Sequence, residues 1–345
     1  VIITGGSSGI GRCTAALFGR QGWNIGLIAR GEAGLSAAAA DIARHGADVA
    51  TATADVSDAA SLSQAAERLA AAIGAPDIWI NCAGNGVYGQ FTTVPPGEFD
   101  RVTAVTYGGT VNGCRTALGF MMPRRRGTIV NICSATAFHG LPLMTSYSGA
   151  KSAVRGFAQS LRAELRIARS PIKICVVFPP AVNTPFFSHA VSHMGFPARP
   201  APPVYQPEVV AAGIYLAARL GVAEMPISGT AAIFSLAARI SPNLIAFAMT
   251  KLGFEGQLTR DPEAARLEAP TLFEPSPEAS PVHGPFSARA RQGSVHLRLM
   301  RAINLPLSLM NGSMLKQLSK APPHRPAPPL RARPAPPGPD SAPAD

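Results

Sequence analysis

The chain has 345 residues, 47% of them hydrophobic and 15% charged, with 33 Gly, 33 Pro and a formal net charge of +11. That length can bury a full core, and the composition is that of a globular α/β protein rather than a fibrous or wholly disordered one. No run of about twenty apolar residues exists to span a bilayer, and the five cysteines (Cys13, Cys82, Cys114, Cys133, Cys175) are too widely spaced for a zinc knuckle or a redox pair.

The thiols therefore read as buried side chains in a reducing compartment, and a cytoplasmic location is expected. The positive charge is uneven: residues 281–335 hold nine Lys or Arg and no Asp or Glu. This basic arm reads either as a solvated disordered tail or as a peripheral contact with anionic membrane lipid. Arg124, Arg125 and Arg126 close a helix, where cations offset the C-terminal dipole, so no nucleic-acid partner is expected. The chain opens at Val1, inside a hydrophobic strand and without Met, which suggests that upstream residues are missing.

In chain order, short β-branched runs alternate with alanine-rich amphipathic stretches. Strands are expected at 1–4, 24–29, 48–53, 78–81, 127–132 and 173–178, with a last one near 225–227. Helices are expected at 10–21, 35–45, 59–73, 99–122, 147–167 and 207–220. This rhythm predicts an α/β fold, a Rossmann-type doubly wound parallel sheet. Residues 181–206 break it and read as a long loop over a site. We expect one domain over 1–230, a C-terminal extension of apolar and amphipathic helices over 231–318, broken at Ser241-Pro242, and a Pro-rich disordered tail over 319–345.

The first strand runs into Thr4-Gly5-Gly6-Ser7-Ser8-Gly9-Ile10-Gly11 and then into a helix. A pyrophosphate can approach such a turn closely because no Cβ stands in the way, and free N–H groups at the helix start face the anion. Gly5, Ser7, Ser8, Gly9, Ile10 and Gly11 are thus candidate cofactor residues. The second strand ends Ile28-Ala29-Arg30, with no acid to bond ribose hydroxyls. Arg30 reads either as a surface cation or as the partner of a 2′-phosphate, which favours NADP(H) over NAD(H). Farther on, Gly127-Thr-Ile-Val-Asn-Ile-Cys-Ser134 precedes Tyr147 and Lys151, which share a helix face at i, i+4.

Together these residues resemble the classical short-chain dehydrogenase/reductase family, in a longer bacterial subgroup with a C-terminal extension. The resemblance covers residues 1–230. Thr4 to Gly11 matches its TGxxxGxG loop, Asp55-Val56 its adenine-contacting pair, and Asn81-Cys82-Ala83-Gly84 its NNAG motif with Cys in second place. Ser134, Tyr147 and Lys151 match its serine and YxxxK. Pro179 to Thr184, including Val182, resembles its PGxxxT segment, which in the family holds the nicotinamide carboxamide. Two positions depart: Thr106 stands where the family has a catalytic asparagine, and Pro180 where Gly is usual.

The resemblance implies an oxidoreductase that moves hydride between a nicotinamide and a CH–OH or C=O group, working as a homodimer or tetramer. Tyr147 acts as the acid/base, its phenol pKa lowered by Lys151 and the nicotinamide cation. Ser134 holds the carbonyl oxygen, Lys151 also bonds the nicotinamide ribose, and Thr106 takes the asparagine's place in the proton relay. Asn81, Ala83 and Gly84 line the cofactor. Phe186, Phe187, Met194 and Phe196 read either as a lid over an apolar substrate pocket or as core. His189 and His193 have no carboxylate or thiol near them in sequence, so no metal site is expected. Two rival functions remain open: a peripheral membrane lipid-keto or steroid reductase, and a non-catalytic dinucleotide-binding module.

Overall fold

The structure, a computed structural model, describes residues 1–253, 255–257 and 270–303. It opens with β1 (Ile2–Thr4), α1 (Gly9–Arg20), β2 (Ile25–Ala29), α2 (Glu32–Ala43), β3 (Val49–Thr53), α3 (Ala59–Ile73) and β4 (Ile78–Asn81). After the short β5 (Val87–Tyr88) come α4 (Pro96–Thr103), α5 (Gly109–Arg124), β6 (Thr128–Ile132), α6 (Thr145–Ile167) and β7 (Lys173–Phe178). Then follow β8 (Ala181–Val182), α7 (Phe186–His189), β9 (Val191–Ser192), β10 (Val204–Tyr205), α8 (Pro207–Leu220), β11 (Glu224–Pro226), α9 (Gly229–Ile240) and α10 (Pro242–Leu252). A last helix, α11, covers 295–303.

Seven strands form one parallel sheet in the order β11-β7-β6-β4-β1-β2-β3. Strand alternation divides the apolar side chains between its faces. Ile3, Leu27, Ile80, Val130 and Val177 point to one side, where α1, α2 and α8 supply Phe18, Ile42 and Ile214. Ile2, Ile28, Trp79, Ile129 and Phe178 point to the other, against Leu62, Ala117 and Val154 from α3, α5 and α6. Both faces being covered is why the strands read as continuous hydrophobic runs. The doubly wound α/β fold is as expected. The crossover in strand order lies between β1 and β4, whose C-terminal ends open the crevice where such sheets bind ligands.

Local signals fix the boundaries. Asp58 caps α3 by accepting from the N–H groups of Ala60 and Ser61. Pro207 opens α8 and Gly221, in the left-handed region, closes it. Pro242 opens α10 and so splits the apolar stretch in two. The helix expected at 99–122 differs in detail: α4 and α5 are joined by a π-helical turn, Ala104–Gly108. Such a turn inserts one extra residue per hydrogen-bonded ring and leaves no mark on hydrophobic periodicity. The loop expected at 181–206 contains β8, α7, β9 and β10, with β5 pairing β9 and β8 pairing β10. Two-residue strands are too short to show a period. The Pro-rich tail expected over 319–345, and residues 254, 258–269 and 304–318 of the expected C-terminal extension, lie outside the described residues.

Candidate active site

A continuous crevice of about 390 Å³ runs along the C-terminal ends of the strands. Its floor begins with the turn after β1. Gly5 has φ +68°, and a Cβ on it would stand 2.8 Å from the Ala83 backbone. A Cβ on Gly11 would stand 2.0 Å from the Gly5 carbonyl oxygen. The turn and the first coil of α1 are therefore closed against each other more tightly than any side chain allows. Thr4 ties this turn to the end of β4, its hydroxyl accepting from the N–H groups of Cys82 (3.2 Å) and Ala83 (3.4 Å). Ser7, Ser8, Gly9 and Ile10 line the crevice with Gly5 and Gly11. A loop of this kind at a helix start could hold a phosphate-bearing ligand by its N–H groups.

At the other end, β6 delivers Ser134 and α6 delivers Tyr147 and Lys151, all on the crevice wall. The Ser134 hydroxyl accepts from the Thr136 N–H at 3.2 Å and is hydrogen-bonded to Tyr147. Lys151 is 4% exposed, and its Nζ donates to the Ile132 carbonyl at 2.6 Å. Two of its three ammonium hydrogens are left for other acceptors. That Nζ lies 5.6 Å from the Tyr147 ring centroid.

The electrostatics differ from the expected ones. Burial pushes the Tyr147 phenol well above its ordinary range, and the Ser134 hydrogen bond opposes this without reversing it. Burial also pulls the Lys151 ammonium below its usual value. A depressed phenol pKa was the expectation. In the protein alone desolvation wins, because the same enclosure that brings Lys151 close removes water from both groups.

Other expected residues divide into those the crevice gathers and those it does not. Asp55, Val56, Ala83, Gly84, Pro179, Val182 and Thr184 all line it, as does Pro180. The Asp55 carboxylate is already engaged: burial alone would raise its pKa, but hydrogen bonds from Arg101 and Ser57 hold it below the usual value. Asn81 is a correction. Its side chain is 3% exposed and turns into the core, accepting from Trp79 Nε1 at 2.7 Å and donating to Asn131 Oδ1 at 2.8 Å. It sits on the strand face that meets α5, so it ties strands together and does not line the crevice.

Thr106 is not among the residues that line the crevice. It is fully buried in the π turn, and its hydroxyl donates to the Asn85 carbonyl at 3.5 Å. A Cβ on Gly84 would stand 3.7 Å from both Thr106 Oγ1 and Lys151 Nζ, so the two side chains face one small space beside Gly84.

Phe186 packs on Tyr147 with ring centroids 5.4 Å apart, and Phe187 packs on Phe186. Met194 joins this cluster, whereas Phe196 is 47% exposed and faces away from it. His189 pairs with the Ser280 hydroxyl and His193 with Glu98, so the two histidines part company.

Arg30 lines the crevice, but its guanidinium is held by main-chain carbonyls: Nη2 donates to Thr271, and Nη1 to Leu272 and Phe273. These belong to a strap, residues 271–281, that sequence reasoning missed. Thr271, Pro275, Ser276, Glu278 and Ser280 form part of the crevice wall. A carbonyl acceptor has no side-chain signature, so nothing in this segment marks it as part of a site. Also missed were the Asn85 amide and the Thr136 hydroxyl, both buried at the reacting end with no hydrogen-bond partner among the described residues. Asn85 follows the glycine of the motif it extends and is the one signal that was legible.

A family model described as short chain dehydrogenase matches residues 1–195. Probable oxidoreductase EphD of Mycobacterium tuberculosis is 40% identical over 186 residues, which is 53% of this chain and 31% of that protein. The 3-ketodihydrosphingosine reductase of Bos taurus is 34% identical over 193 residues, 54% of this chain and 58% of that protein. The chain thus spans about a third of the first of these curated relatives and little over half of the second. Among solved structures, levodione reductase superposes with a TM-score of 0.59 at 25% identity, covering 67% of this chain and 96% of that one.

Proposed function

Since the chain belongs to the short-chain dehydrogenase family, we propose that it is an NADP-dependent oxidoreductase acting on an apolar carbonyl or alcohol, with Tyr147 as the acid/base. One observation carries the reading: the glycine cradle and the Ser134–Tyr147–Lys151 group open into the same crevice. The loop suits a dinucleotide because its glycines close the turn tightly while residues 7–11, at the start of α1, line the crevice.

A bound nicotinamide coenzyme supplies or accepts the hydride. The N–H groups of residues 7–11 bind the pyrophosphate, and Arg30 pairs with the 2′-phosphate. Val56 and Asp55 flank the adenine, and Ala83 and Gly84 offer backbone to the sugar. Lys151 directs its remaining ammonium hydrogens to the nicotinamide ribose, and Pro179, Val182 and Thr184 hold the carboxamide. At the substrate oxygen, Ser134 donates a hydrogen bond that fixes its direction, and Tyr147 gives or takes the proton. Phe186, tilted against the phenol ring, keeps water from the reacting atoms. The family's assembly as a dimer or tetramer is part of the same proposal.

The test is coenzyme consumption with a panel of apolar ketones, run with NADPH and NADH on the wild-type chain and on Arg30→Asp. We expect NADPH to be preferred, and Arg30→Asp to weaken NADPH by more than tenfold while changing NADH little. Each charge-assisted contact that is lost costs about 1.5–3 kcal/mol. Equal loss with both coenzymes would place 2′-phosphate recognition elsewhere.

A second reading, a lipid-keto reductase working at a membrane surface, is favoured by one feature. Ile233, Leu236 and Ile240 on α9 are 70%, 59% and 74% exposed, at helical spacing. Val295, Leu299 and Ile303 repeat the pattern on α11, beside the exposed Arg298 and Arg301. Apolar stripes flanked by arginine suit an anionic interface, and the resemblance to a ketosphingolipid reductase points to the same substrate class. No helix among the described residues is long and apolar enough to cross a membrane. The full chain should float with anionic vesicles and lose flotation in the Leu236→Glu/Leu299→Glu double variant; a wild-type chain that stays at the bottom of the gradient would discard this reading.

A further inference from the structure

The donors that seat the strap on the crevice include two that the coenzyme reading assigns to phosphate, Arg30 and the Gly9 N–H. Arg30 donates to the carbonyls of Thr271 (2.5 Å), Leu272 (3.2 Å) and Phe273 (2.5 Å). Arg101 Nε donates to the Leu272 carbonyl as well, at 3.1 Å, so two guanidinium groups converge on one neutral oxygen. At the other end of the strap, Arg12 Nη1 donates to the Ser280 carbonyl at 2.9 Å. The Gly9 N–H, at the first turn of α1, donates to the Pro281 carbonyl at 3.2 Å. Apolar anchoring is slight: within 271–281, Leu272 is the one deeply buried hydrophobic side chain, set against Val87 and Val102. Phe273, by contrast, is 56% exposed.

We propose that residues 271–281 act as an internal competitor for the coenzyme, a strap whose main-chain oxygens occupy the anion-reading donors and which a phosphate-bearing dinucleotide displaces. This rests on the coenzyme reading above and adds a gate to it. The direction follows from charge. A carbonyl dipole offers a guanidinium a neutral hydrogen bond, whereas a phosphate offers a charge-assisted, often bidentate one of roughly twice the strength. Arg30, which the strap meets with three neutral oxygens, gains most from the exchange, whereas Arg101 and Arg12 are already paired with Asp55 and Asp41. A coenzyme without a 2′-phosphate has no group to exchange at Arg30, so it leaves that part of the strap seated. The strap thereby sharpens the choice between NADPH and NADH, and full seating of the 2′-phosphate requires it to lift from Arg30.

The geometry offers a lock to test this. A Cβ built on Gly31 lies 3.3 Å from Pro275 Cβ, close to the separation across a disulfide. In the full-length Gly31→Cys/Pro275→Cys double variant, oxidation should fix the strap down. NADPH binding, followed by nucleotide fluorescence, should weaken at least tenfold on oxidation and recover with dithiothreitol. Leu272→Ala, which removes the apolar pin without touching the donors, should tighten NADPH about fivefold in the reduced wild-type background. It should also speed Glu-C cleavage after Glu278, in the Glu278-Ala279 bond. If the oxidised and reduced forms bind NADPH alike, or if Leu272→Ala weakens NADPH, the strap is a fixed wall and the proposal falls while the coenzyme reading stands. If the reduced protein and Leu272→Ala bind neither coenzyme, both fall together.

Discussion

Replacing Tyr147 by Phe is expected to lower hydride transfer by about 10²–10⁴-fold, the usual contribution of a positioned acid or base, while leaving coenzyme affinity nearly unchanged. The substitution removes one oxygen and keeps the ring that packs on Phe186 at 5.4 Å, so the crevice wall survives. The measurement is single-turnover hydride transfer beside a coenzyme titration on the same preparation. A variant that retains a tenth of the wild-type rate would show that the proton comes from another group.

The raised phenol pKa adds a sign to this expectation. Burial keeps Tyr147 protonated through the neutral range. Carbonyl reduction needs the protonated phenol, so its rate should stay level as pH rises through neutrality. Alcohol oxidation needs the phenolate, so its rate should climb with pH, by up to about tenfold per unit below the phenol's pKa. Ser134→Ala removes the one hydrogen bond that opposes the upward shift. It should move the oxidative limb to still higher pH, beyond any effect on the reductive plateau.

How much of this was visible in the sequence depended on what kind of atom carries each feature. Side chains at fixed spacing were legible: Gly5, Gly9 and Gly11 after a strand, and Tyr147 and Lys151 one turn apart, lie where the pattern put them, on one crevice. Helices with strong apolar periodicity were legible too, α3 and α8 to the residue. Orientation at a strand end was not. Asn81 and Ala83 stand two apart in one motif, yet the Asn81 side chain points into the core against Trp79, because the strand still governs its direction.

Main-chain chemistry left no trace at all. The π turn that carries Thr106 depends on a hydrogen-bond register that hydrophobic spacing does not encode. The carbonyls of 271–273 that hold Arg30 come from more than 240 positions away, a pairing no local pattern reports. Arg101 was likewise hidden inside a helix, although it meets Asp55, Ser57 and the Leu272 carbonyl at once.

The second large effect is expected at Gly11. An alanine there would bring its methyl to 2.0 Å from the Gly5 oxygen, and the backbone of neither residue is free to move. The Gly5 N–H is held by the Ile28 carbonyl at 2.8 Å, and Gly11 is buried in the first turn of α1. Relief must come from shifting α1 away from β1, which breaks the cradle on which the pyrophosphate reading depends. Overpacking of this kind costs about 1–3 kcal/mol, which lowers the melting temperature of a chain this size by several degrees. Coenzyme affinity should fall by at least a hundredfold, since the N–H groups of the loop no longer converge on one point. Gly156→Ala is the matching control, because a methyl there meets nothing within 4 Å on an exposed position of α6. That change should stabilise the helix by about 0.5–1 kcal/mol and leave coenzyme binding intact. Thermal unfolding and coenzyme titration of both variants separate the two effects. A Gly11→Ala protein that binds coenzyme as tightly as the parent would remove the phosphate loop from the account, and with it the placement of the nicotinamide beside Tyr147.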